Sequence, residues 1–160
     1  MITDVLLDHR WISPTLLVLL VVIGPLAGRG LALRPTLTRW LVAVSLLPVA
    51  FLTLVPQDRR AFTRCTVEWA LPTPGRVELM ANLVLLIAPA LLATVATRRP
   101  VRIVVAGTAL SAAVEVFQAA VPGLGRSCDT NDWLSNTMGV GIGVVLGCVA
   151  LRFARRSRAA

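Results

Sequence analysis

The chain contains no lysine, so all 16 of its basic side chains are arginine, and only eight acids oppose them to leave a formal charge of +8. In a soluble domain that imbalance would point to nucleic acid, but 56% hydrophobic residues and a mean hydropathy of +0.78 make lipid the solvent to consider, and no nucleic-acid partner is expected. Histidine is nearly absent. The single copy, His9, precedes the first apolar run, which excludes a cysteine–histidine metal motif and leaves serines such as Ser127 and Ser135 without a histidine base nearby. There is also no internal repeat and no low-complexity linker, so the 160 residues read as one domain.

What the chain does have is long apolar runs. Five spans are predicted, at Ile12 to Ala27, Trp40 to Val55, Leu79 to Thr97, Val101 to Val121 and Trp133 to Phe153. Each must be helical, because lipid offers no partner to an open strand edge. The fold class expected is therefore all-α, a polytopic membrane helical bundle of about five transmembrane helices. The first two spans are slightly short, and Pro25, Pro48 and Pro89 predict local kinks.

Arginine placement predicts orientation. Ten arginines lie in the connections after spans one and three and at the end of the chain: Arg29, Arg34, Arg39, Arg98, Arg99, Arg102, Arg152, Arg155, Arg156 and Arg158. The other side receives six, Arg10, Arg59, Arg60, Arg64, Arg76 and Arg126, diluted by Asp4, Asp8, Asp58, Glu68, Glu78, Asp129 and Asp132. The excess assigns the ten to the cytoplasm, with the N-terminus outside and the C-terminus inside. Asp4 and Asp8 stand where a cleavable signal peptide would be basic, so none is expected. This topology puts Cys65 and Cys128 on the same outer side, where a disulfide between them or two separate thiols are both compatible with the sequence. Cys148 falls deep in the last span and reads as a packing residue. The one sizeable loop, Gln57 to Glu78, carries Trp69 and the turn-forming "LPTPG", and reads either as a lid or as a connector with an interfacial anchor.

Polar groups cluster at the outer ends of the later spans. Glu115 lies roughly 9 Å below the outer boundary at about 1.5 Å per residue, and Asn136 and Asn82 fall at a similar level. Gln118 follows Glu115 at i+3 and Asn136 follows Asp132 at i+4, so each pair shares a helix face, and the faces can converge on a recessed, outward-opening pocket. Asp129 or Thr130 can cap the last helix and Asp132 suits its first turn, but capping does not account for Glu115, Gln118 and Arg126. Burying a charge at a helix centre is penalised by roughly 2.5 to 3.5 kcal/mol, less near the boundary. A ligand site or an interhelical hydrogen-bond cluster would each give these groups a role. Gly139, Gly143 and Gly147 recur every four residues and predict a close helix–helix approach.

Glu115, Gln118, Pro122, Arg126, Asp129, Asp132, Asn136, Gly139 and Gly143 together resemble the VanZ-like signature, E-x-x-Q leading through P-x-x-x-R to D-x-x-D-x-x-x-N-x-x-G. "NLVLLIAPALL", Asn82 to Leu92, resembles that family's preceding helix. The resemblance covers about half the chain, Glu78 to Gly147; the first two spans and the loop match only in general character, and the cysteine pair belongs to only some members. It implies a small bacterial cell-envelope protein, in a family named for a member associated with low-level teicoplanin resistance, acting on membrane lipid head groups or lipid-linked cell-wall precursors. Under that implication Glu115 or Asp132 serves as general acid or base, and Arg126 holds a phosphate. Gln118, Asn82, Asn136 and Asp129 contact the substrate. No cofactor is expected, although Asp129 and Asp132 could together hold a divalent metal. A precursor-binding or envelope-shielding protein without turnover is the alternative, and a transporter component a weaker one, since the inner halves of the spans lack a polar path.

Overall fold

The computed structural model describes residues 8–56 and 65–159. Asp4, Asp58, Arg59, Arg60, Arg64 and the first part of the long loop lie outside the described residues, as does the side chain of Arg158.

Among the described residues there are five helical spans, each long and apolar enough to cross a bilayer, so the chain is a multi-pass membrane helical protein. They are α1 (Ile12–Leu31), α2 (Pro35–Leu54), a third span made of α3 (Val77–Leu85) and α4 (Ile87–Thr97), then α5 (Pro100–Ala120) and α6 (Thr130–Ala159). The first two are not short, as the hydropathy suggested. Each has 20 residues, about 30 Å of helix, which equals the hydrocarbon thickness. α1 continues through Arg29, and α2 opens at Pro35, five residues before Trp40. Hydropathy stops at an arginine, whereas the backbone need not, because the long side chain carries its charge toward the headgroups. Proline at the first helical position has no N–H to leave unbonded and a φ already suited to the helix. The 30 residues of α6 reach about 45 Å, so its arginine-bearing end projects beyond the hydrocarbon.

Pro25 and Pro48 sit inside helices that run on uninterrupted, whereas Pro89 breaks its span. Leu86, at φ −96° and ψ −2°, separates α3 from α4. The cause lies three residues downstream: Pro89 has no N–H for the Leu85 carbonyl, and its ring crowds that carbonyl.

The broken span and α6 form the centre. Leu83, Val84, Ile87, Leu91 and Val95 pack with Leu146 and Ala150 in one cluster, flanked by Leu17 and Leu20 of α1. A second cluster joins Leu86 and Ala90 to Val140 and Val144, with Val49 of α2 and Ile103 of α5 against it. The glycine repeat makes the central contact possible. A β-carbon at Gly139 would collide with the Leu83 carbonyl oxygen, one at Gly143 with that of Ile87, and one at Gly147 would lie 2.7 Å from Thr94 Cβ. The outer faces remain apolar, with Val18, Val22 and Leu26 of α1, Leu47 and Phe51 of α2 and Val105 and Val116 of α5 all exposed where lipid would lie.

Up-and-down order sorts the charges. Asp8, Glu68, Glu78, Glu115, Asp129 and Asp132 belong to one end of the bundle, with Arg10, Arg76 and Arg126, and Arg29, Arg34, Arg39, Arg98, Arg99, Arg102, Arg152, Arg155 and Arg156 to the other.

Candidate functional site

At the acidic end the chain reverses between α5 and α6 within a few residues. Pro122 cannot continue α5 and opens a single 3₁₀ turn, Pro122–Leu124. Gly125 then takes the left-handed region at φ 61°, where a side chain would be strained. This turn brings Arg126 and a two-residue strand, β2 (Cys128–Asp129), back beside the helix that carries Glu115.

Specific bonds hold some of the polar groups expected to converge, whereas Gln118 is bonded to α2 and Asn136 Oδ1 has no partner. Glu115 is 9% exposed, and its Oε2 accepts the backbone N–H of Asp129 at 2.8 Å. Asp129 Oδ1 in turn accepts the N–H of Asn131 at 2.8 Å, which makes Asp129, rather than Thr130, the N-cap of α6. Asp132, one turn further, hydrogen-bonds the Asn82 side chain across to α3. The Arg126 guanidinium attracts both the Glu115 and the Asp132 carboxylates, while Asp129 repels both. Gln118 Nε2 donates to the Thr53 carbonyl at 3.0 Å and so ties α5 to the end of α2. Asn136 is 5% exposed, and its Oδ1 accepts no hydrogen bond. The Oγ atoms of Ser135 and Ser111 are likewise buried without a bond.

The loop before α3 is fastened over this cluster. Cys65 and Cys128 form a disulfide with a Cα separation of 4.5 Å, and Cys65–Thr66 (β1) pairs in parallel with β2, Thr66 opposite Asp129. Thr130 Oγ1 accepts the Glu68 N–H at 2.9 Å and donates to the Glu68 carbonyl at 2.6 Å. Asn131 Oδ1 accepts the Ala70 N–H at 2.6 Å. Trp69 meets Trp133 edge-on with ring centroids 6.4 Å apart, and Trp133 Nε1 donates to the Thr108 carbonyl at 3.4 Å. The described part of the loop is thus a strap fixed at several points rather than a lid hinged at its ends. Thr130 and Asn131 hold the strap, and the sequence reading gave neither that role. The run Asp129–Thr130–Asn131–Asp132 at a helix start was the available signal, since four such side chains exceed what one cap can use.

Among the described residues no group of three or more His, Cys, Asp and Glu side chains is arranged to hold a metal ion, which leaves Asp129 and Asp132 as a pair only. Two cavities, of about 400 and 40 Å³, lie at the opposite, arginine-rich end.

A family model described as VanZ/LLP1 matches residues 11–151. No curated protein and no solved structure matches the chain. The family match takes in the first two spans and the loop as well as the polar motif, extending the likeness beyond Glu78 to Gly147. With the match running from the residue before α1 into the last turns of α6, over five membrane-length helices, the chain belongs to the VanZ/LLP1 family.

Proposed function

We propose that the acidic end faces the cell exterior and handles the phosphate-bearing head group of a membrane lipid or a lipid-linked cell-wall precursor. The observation that carries this reading is that Glu115 of α5, Arg126 of the reversing turn and Asp132 of α6 belong to one end of the bundle, near enough for Arg126 to act electrostatically on both carboxyls. Arg126 would grip a phosphate oxygen through its planar fork. Glu115 keeps Oε1 beyond the oxygen bonded to Asp129, so it can take a proton from water or an acceptor hydroxyl; Asp132, steadied by Asn82, is the second candidate base. Gln118 would offer its amide oxygen as an acceptor for head-group hydroxyls, whereas the Asn136 Oδ1, buried without a partner, would first have to be uncovered. A contribution to glycopeptide resistance, teicoplanin in particular, would follow if the head group were part of the antibiotic's target.

A second reading is favoured by the same bonds. Glu115, Asp129, Gln118 and Asn82 all have protein partners, as a rigid binding surface without turnover would require. Mass spectrometry of lipids and cell-wall precursors from cells producing wild type or Glu115→Gln separates the two. A species altered only by the wild type supports catalysis. Identical profiles with retained binding of a labelled precursor support the binding protein, and identical profiles without binding remove both.

A further inference from the structure

The arginine-rich end holds a cavity of about 400 Å³ lined by Arg39, Ala96, Thr97, Arg99, Arg102 and Ile103. Local backbone geometry assembles it. α4 ends where Arg98 adopts the left-handed region, φ 57° and ψ 27°, and α5 restarts two residues later at Pro100. Arg99, the residue before α5, and Arg102, in its first turn, both line the cavity. The Arg99 N–H is held by Thr97 Oγ1 at 3.3 Å, which fixes the turn. Arg39 arrives from the first turns of α2, which packs on α4.

Three guanidiniums thus border one cavity, and the helix that begins there adds the partial positive charge of its N-terminus. Nothing described at this end balances them: Asp8, Glu68, Glu78, Glu115, Asp129 and Asp132 all belong to the other end. Like charges are brought together at a cost that an anion would remove. The level of the cavity names the source of that anion. Trp40, next to Arg39 and 68% exposed, is placed as an interfacial tryptophan, and Val101, beside Arg102, is 75% exposed on the lipid-facing side. The wall formed by Ala96 and Ile103 is apolar, suited to the carbon backbone of a lipid rather than to a hydrated ion.

We propose that this cavity binds the phosphate of an anionic phospholipid, of the phosphatidylglycerol kind, in the leaflet at the arginine-rich end. The site is separate from the acidic cluster and stands whether or not that cluster is catalytic. The test uses the full chain in nanodiscs of equal phosphatidylglycerol and phosphatidylcholine, with retained lipid counted by native mass spectrometry. Arg39→Gln/Arg99→Gln/Arg102→Gln is compared with Arg29→Gln/Arg152→Gln/Arg156→Gln, which removes the same charge from the same end without touching the cavity. Wild type and the second variant should retain phosphatidylglycerol preferentially, and the first should lose that preference by about tenfold or more. Equal loss in both variants, or none in the first, overturns the proposal. If the first variant does not fold, Arg39→Gln and Arg102→Gln singly carry the comparison, each expected to lower retention roughly threefold and unchanged retention in both overturning the site. Millimolar inorganic phosphate should leave phosphatidylglycerol bound; its displacement by phosphate would overturn the lipid assignment.

Discussion

Glu115 accepts a backbone N–H from fourteen residues along the chain, so the fold itself fixes the orientation of its carboxyl group. This separates two substitutions. Glu115→Gln keeps an oxygen for the Asp129 N–H but cannot act as a base. If Glu115 is the proposed base, the variant should lose about 100-fold or more in turnover while Tm stays within about 2 °C of wild type. Glu115→Ala leaves the N–H buried without an acceptor and should cost about 1–3 kcal/mol in stability as well. Asp132→Asn, which can still bond Asn82, should behave like Glu115→Gln, and the double variant should lose little beyond the worse single one, because groups acting in one site are non-additive. Activity that declines only in step with Tm would assign the cluster to helix–helix bonding instead.

Among the elements, α6 depends most on what it lacks. Gly139 and Gly143 bring its backbone against the carbonyls of Leu83 and Ile87, whereas Gly141, between them, faces open space. Gly139→Ala or Gly143→Ala should therefore destabilise the bundle by about 1–3 kcal/mol or more. Gly141→Ala should be neutral or raise stability by up to about 1 kcal/mol, measured by thermal unfolding in detergent. This stripe was legible in the sequence because its period is that of a helix face. The start of α6 was legible from capping rather than from hydropathy: the apolar run begins at Trp133, but Asp129 or Thr130 as cap and Asp132 in the first turn put the helix start near Thr130, where it lies. Pro89 announced a disturbance in the third span, but only the structure separates its break from the uninterrupted helices around Pro25 and Pro48. The site followed the same division. Its side chains were readable as types, Glu115, Arg126, Asp132 and Asn136 among them. Their partners were not, since the Thr53 carbonyl and the Asp129 N–H are backbone groups that every residue possesses, and only the fold selects one.

For the whole molecule, the division of charge between the two ends predicts orientation. Single cysteines introduced at Gly75 and Pro100, after replacement of Cys65, Cys128 and Cys148, should differ in reactivity toward an impermeant reagent added to intact cells. Gly75→Cys should label and Pro100→Cys should not. The reverse would turn the acidic cluster to the cytoplasm and dismiss an extracellular substrate. In the unaltered protein a permeant alkylating reagent, applied after denaturation without reductant, should modify Cys148 alone; reduction should raise the count to all three cysteines. The disulfide also imposes a schedule on synthesis. Its two halves are 63 residues apart, with α3, α4 and α5 between them. At about 5–20 residues per second, Cys65 waits roughly 3–13 s for its partner to be made. The strap across the acidic end can close only after the chain has passed α5, so a nascent chain carries the first four spans before it can carry a finished site.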